Sequence, residues 1–192
     1  MSQTSRILNI ELHDFWHVGT GEGRSSGDNS VVKLKNGLPY LPGRELKGIL
    51  KVTAKCLESW GHITEGDTER LFGNDGKKPA KIQITGAELD KNDAEYLLGL
   101  NKYAPTRRAL FDSLSSTAIN YESGNATNKS LRSMEIVIPC VLQAEITCET
   151  CEEKDSKTIF DFLERLLPLT RAIGASRNRG LGRCTMTFKT EE

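Results

Sequence analysis

The sequence lacks net charge: its 26 lysines and arginines are matched by 26 aspartates and glutamates. Attraction to a polyanion is therefore not built into the whole molecule, and local clustering has to decide. No apolar run approaches the ~20 residues of a membrane span, and the N-terminus has no signal-peptide core. The five cysteines are odd in number and unevenly spaced, which argues for reduced thiols in a cytoplasmic setting rather than a disulfide framework. Cys148 and Cys151 form the one CxxC. No second pair or nearby histidine completes four zinc ligands, so no metal site is expected from these thiols. Acid is also missing locally. From Arg165 to Lys189 there are five arginines, one lysine and no carboxylate, whereas Glu145 to Asp161 holds six acids against two lysines. The neutral total hides a polarised chain.

What is present organises around Gly37–Trp60. Two prolines and a glycine hold this stretch extended and then turn it. From Arg44 the period becomes helical, with Leu46, Ile49, Leu50, Thr53, Leu57 and Trp60 on one side. Arg44, Lys47, Lys51 and Lys55 share an arc of roughly 80° on the other. Such a stripe is either a solvated face or a cationic rail for a phosphate backbone.

Ahead of it, Ile7–His13 alternates as a first strand, followed by a glycine-rich loop from Val18 to Asn29. Gly19, Gly21 and Gly23 give GxGxG with no helix after it, which excludes a dinucleotide loop. Ser30–Leu34 reads as a short strand or a strand-like return into the central stretch. Lys81–Leu89 is a second strong strand with a bulge at Gly86, and Asn92 or Asp93 caps a helix through Leu100. Arg107–Asn128 begins Arg107-Arg108 and becomes too polar to bury, which predicts a projecting hairpin. Ser133–Thr147 reads as one long strand bent at Pro139. Glu149–Asp155 is an acidic turn. Ser156 then caps a helix with Ile159, Phe160, Leu163, Leu166 and Leu167 on its buried face, kinked by Pro168 and stopped by Gly174. A glycine–arginine loop carrying Arg177, Asn178, Arg179 and Arg183 leads to a last strand ending at Lys189. Glycines let backbone N–H groups approach an anion, and arginine forks match phosphate oxygens.

This order predicts one α+β domain over 1–192, a ferredoxin-like (RRM-like) βαββαβ core with an insertion between its second and third strands. Two cationic features, on the first helix and the last turn, fit a phosphodiester chain better than a small anion.

The residues also resemble a family. Gly27-Asp28-Asn29-Ser30-Val31-Val32, then Gly37-Leu-Pro-Tyr-Leu-Pro-Gly43 and Leu46-Lys47-Gly48, are similar to the aspartate-bearing loop and helix start of the RAMP superfamily of CRISPR proteins. The likeness is to the backbone subunits of type III effector complexes in particular. Leu71-Phe72-Gly73 is similar to that family's Leu-Phe-Gly loop, and Gly174-Ala-Ser-Arg-Asn-Arg-Gly-Leu-Gly182 to its C-terminal glycine-rich loop.

The resemblance implies a subunit that coats guide RNA in multiple copies beside other subunits of the effector complex. It implies a thumb-like hairpin at about 101–135 that wedges into the guide–target duplex. It further implies cleavage of complementary target RNA by Asp28 with Mg²⁺ or a similar divalent cation. A flipped nucleotide frees its 2′-hydroxyl to attack, and one carboxylate can assist. Two other readings stay open: a scaffold that binds guide RNA without cutting, and a guide-processing ribonuclease using His17, which lies with His13 at the end of the first strand. His62 reads as a turn residue. Arg107 and Arg108 either grip RNA at the thumb base or are solvated.

Overall fold

The computed structural model describes residues 4–21, 30–74, 79–99, 104–149 and 153–189. Alternation makes β1 (Thr4–Leu12), which starts earlier than expected and buries Leu8, Ile10 and Leu12. The helix α1 (Gly43–Ser59) follows, then a short α2 (Asp67–Phe72), β2 (Ile82–Ile84), β3 (Glu88–Leu89), α3 (Lys91–Gly99) and α4 (Ala104–Arg108). Next come β4 (Phe111–Ser116), β5 (Arg132–Val137), β6 (Val141–Cys148), α5 (Glu153–Leu166) and β7 (Cys184–Phe188).

The main sheet runs β2-β6-β1-β7, with β3 also on β6, and every pairing is antiparallel. β6 therefore lies between β1 and β2, the strands joined through α1. This is the split-βαβ arrangement of the ferredoxin-like plan. Register places Ile10 opposite Leu142 on one side and Met186 on the other. Those residues share a single apolar cluster with Leu46, Leu50 and Ala54 of α1 and Phe160, Leu163 and Leu166 of α5. Burying a side chain of this size contributes about 1.5–3 kcal/mol.

Gly43 shows why α1 begins where it does. A Cβ there would stand 2.3 Å from the Ile84 carbonyl oxygen, so only glycine lets the helix start touch β2. Among the described residues no helix is long and apolar enough to cross a membrane.

Several elements differ from expectation. Ser133–Thr147 is two strands rather than one, because Pro139 has no N–H to continue a ladder. β5 turns away to pair with β4 in its own two-stranded sheet, and Cys140 instead accepts the Leu12 N–H. The hairpin is thus Phe111–Val137, with an exposed tip that includes Ile119 and Tyr121. Lys81–Leu89 is likewise broken, into β2 and β3, where the Tyr40 ring lies against Gly86 and leaves no space for a side chain. Ser30–Leu34 makes isolated bridges (Gly19 with Val31, Lys33 with Pro39) and no regular strand. Ser156 sits buried inside the first turns of α5, not at its cap. That helix ends at Leu166 in a 3₁₀ turn, Leu167–Leu169, so Pro168 and not Gly174 terminates it. Trp60 is 69% exposed because the buried arc of α1 centres on Leu46, Leu50 and Ala54. Leu100 and the first residues of the expected insertion, 101–103, lie outside the described residues.

Candidate nucleic-acid interface

After the 3₁₀ turn the chain forms a loop laced onto the segment following β1. Ala175 N–H donates to the His17 carbonyl at 2.8 Å, Gly182 N–H to that of Phe15 at 2.8 Å, and Ile173 N–H to that of Gly182 at 2.9 Å. Two glycines permit the contact. Gly174 (φ +74°) would place a Cβ 2.2 Å from the His17 oxygen, and Gly182 (φ +73°) one 2.0 Å from the Ile173 oxygen. On this anchored base a short 3₁₀ turn, Arg177–Arg179, stands out between Ser176 and Gly180, both left-handed. Arg177, Asn178 and Arg179 are exposed. Neither arginine belongs to any ion pair among the described residues.

The loop and α1 enclose a groove of about 530 Å³, walled by Ile49 and Thr53 on the helix and by Ser176, Arg177 and Asn178 on the loop. At its floor the buried Thr170 hydroxyl donates to that of Thr53 at 3.1 Å. Arg183 lies beyond the turn, its Nε 3.0 Å from the Asp14 carboxylate. A glycine-locked backbone and two guanidinium groups outside every ion pair among the described residues make an anion-binding surface without sequence readout.

The lysine row does not extend that surface. Lys51 Nζ donates to the Gly73 carbonyl at 2.8 Å, and Lys47 Nζ reaches that of Ile82 at 3.4 Å. Burial lowers the Lys47 pKa, and the Lys51 charge adds to the effect. Both side chains brace α1 against the Leu71-Phe72-Gly73 turn and β2. About 160° of helix separates Lys51 from Ile49. The stripe and the arginine turn therefore lie on different sides of α1, and the single rail expected across both is not formed. Arg44 and Lys55 are exposed on the outer face. Lys51→Ala is expected to cost about 1–2 kcal/mol by stranding the buried Gly73 carbonyl. Arg44→Ala and Lys55→Ala should each change stability by less than about 0.5 kcal/mol. Urea denaturation of the three variants checks this, and equal small effects would remove the bracing role.

A second cluster lies at the root of the hairpin. Glu135 on β5 accepts from Val31 N–H at 3.1 Å and from Lys33 Nζ at 2.6 Å, while the Lys33 ammonium sits 3.9 Å from the Phe111 ring centre. Arg108 lines the same cavity, and Arg107 donates instead to the Asn36 carbonyl at 3.2 Å. His17 is 4% exposed, and its Nδ1 lies 2.6 Å from the Glu135 backbone oxygen. Buried and hydrogen-bonded there, it is a strut between the first strand and the hairpin, not a group open to substrate. His13 pairs with the Thr185 hydroxyl at 2.7 Å, and His62 is exposed. The Glu135–Lys33 pair spans 102 residues of sequence, and no local pattern announces it.

The glycine-rich loop leaves and rejoins this root. Thr20 N–H donates to the Ser30 carbonyl at 3.2 Å, closing the stem beside the Gly19–Val31 bridge. Asp28 lies outside the described residues, as does Cys151. Among the described residues no group of three or more His, Cys, Asp or Glu could hold a metal ion. Glu135, engaged by Lys33 and Val31, offers no donor set for a divalent cation.

A profile of the RAMP superfamily matches residues 9–185. No curated protein matches the chain in sequence. Solved structures similar to it include two of one complex. The cryo-EM structure of the Type III-B Cmr-beta bound to cognate target RNA contains a chain with a TM-score of 0.74 at 11% identity, covering 96% of this chain and 97% of that one. The Type III-B Cmr-beta apo state contains one with a TM-score of 0.70 at 11% identity, covering 97% of this chain and 98% of that one. At such identity the likeness is one of fold.

Proposed function

This chain belongs to the RAMP superfamily, and on that premise we propose that it is a guide-RNA-binding backbone subunit of a type III CRISPR ribonucleoprotein. In this reading several copies coat one guide beside other subunits, and Asp28 cuts complementary target RNA. The observation that supports it most is the exposed Arg177–Arg179 turn, raised on a loop that glycines lock to the core, beside an open groove along α1. Arg177 and Arg179 take phosphate oxygens, Asn178 and the loop N–H groups add neutral donors, and Arg108 meets the strand at the hairpin root. Contacts of this kind hold a backbone whatever its sequence. The exposed hairpin, rooted by Glu135 and Lys33, is the thumb that enters the guide–target duplex. A divalent cation belongs to the cutting step. The described residues supply no ligand set for it. The His17 processing reading has little support, since that ring is buried against Glu135.

The test is RNA binding across a salt series. Replacing both Arg177 and Arg179 by alanine is expected to weaken guide RNA roughly tenfold and to lower the salt slope by about two. An unchanged slope would mean that the loop does not hold RNA.

A further inference from the structure

Beside the arginine loop, and sharing Thr53, Leu169 and Arg171 with its groove, lies a second depression of about 650 Å³ between the last turns of α1 and α5. Its apolar surface is unusually open: Trp60 is 69% exposed, Val52 54% and Leu169 46%. The Trp60 backbone caps α1, the main-chain N–H bonded to the Cys56 carbonyl at 3.1 Å. The charged side chains of the lining are Arg165 and Arg171, with His62 and Cys56 beside them, and no carboxylate among the described residues joins it. An exposed indole in a depression that two guanidinium groups also line suits a planar, anionic guest better than an apolar peptide face. Continuity with the anion-binding groove narrows the guest further.

We propose that this depression is a base-binding subsite. Trp60 stacks a nucleobase of the same RNA strand whose phosphates the Arg177–Arg179 turn holds, and Arg171, lining both grooves, carries the backbone from one to the other. The inference rests on the RNA-binding reading above and adds a contact to the bases. Stacking accepts any base, so the subsite strengthens binding without imposing a guide sequence.

Two single-stranded probes of equal length separate the contributions: oligoadenylate, and an abasic oligomer with the same phosphates. The full chain is expected to bind oligoadenylate about tenfold more tightly than the abasic probe. Trp60→Ala should erase that difference and leave abasic binding unchanged, while Trp60→Phe should keep most of it. Arg179→Ala should weaken both probes alike. A second readout avoids substitution altogether. Cys56 is exposed and lines the depression one turn before Trp60, so its alkylation, followed by mass spectrometry of its own peptide, should slow with oligoadenylate and not with the abasic probe. Burial raises the Cys140 and Cys184 thiols to about 11, which keeps them out of that reaction.

Equal binding of both probes by the unsubstituted chain, with no effect of Trp60→Ala, would overturn the subsite and leave the loop-held RNA reading standing. Failure to bind either probe would overturn both. Should Trp60→Ala alter self-association in the absence of RNA and leave oligoadenylate affinity intact, the depression joins copies of this chain and the proposal is wrong.

Discussion

Asp28→Ala, assembled into the complex, is expected to reduce cutting of complementary target RNA by on the order of 10²- to 10⁴-fold, the usual contribution of a positioned acid–base group. Guide-RNA affinity should stay within about twofold, because the phosphate grip proposed above uses the Arg177–Arg179 turn, a different part of the chain. The separation follows from how the loop is held. Its stem closes at Thr20 and Ser30, and Val31 is fixed to Glu135 at the hairpin root. Gel analysis of labelled target in assembled complexes reads both quantities. Undiminished cutting by the variant complex would clear Asp28 of the chemistry. An intact complex that never cuts, with or without the substitution, would leave the scaffold reading.

Gly182→Ala should be the most destabilising single methyl that can be added to the glycine–arginine loop, at about 2–5 kcal/mol. Two effects add. A side chain at φ +73° costs about 1–2 kcal/mol in the left-handed region. The new Cβ would also sit 2.0 Å from the Ile173 oxygen, in a buried turn whose N–H is committed to Phe15, and overpacking of this kind adds about 1–3 kcal/mol. Gly180 is the internal control. It has φ +85° and nothing within 4 Å of an added Cβ, so Gly180→Ala carries the backbone cost alone. A gap of about 2 kcal/mol between the variants corresponds to roughly 4–8 °C in Tm for a chain of this size. Thermal melts of the pair measure it. Identical Tm values would mean that the Ile173 contact does not anchor the loop. Loss of RNA affinity should accompany Gly182→Ala even below its melting temperature, since the arginine turn is raised on that anchor.

Much of this was legible before any coordinates. The alternation of β1, the apolar faces of α1 and α5, the projecting hairpin and the glycine–arginine loop all follow from local periodicity and turn chemistry, which act within a few residues. The core order of strands and helices followed from them. What escaped was whatever depends on a partner distant in sequence. Ser133–Thr147 reads as one strand because its apolar residues run on, and only the competing pairing of β5 with β4 divides it at Pro139. The Glu135–Lys33 pair and the burial of His17 have no sequence signature, because each needs the hairpin brought onto the loop after β1.

The lysines of α1 show the limit most clearly. Helical period put Lys47 and Lys51 on one stripe, and that geometry holds. Which way the helix rolls is not in the period. It is set by Leu46, Leu50 and Ala54 against the sheet, and that roll turns the two lysines toward the carbonyls of Ile82 and Gly73 instead of toward solvent. The same rotation exposes Trp60 and turns Ile49 and Thr53 to the arginine loop. Residue order alone thus determined the α+β class, the family resemblance and the cationic character of the last turn, since these depend on composition and local spacing. Tertiary packing decided which charges brace the fold and which stay open to a ligand, because burying one apolar face fixes where every other face of a helix must point.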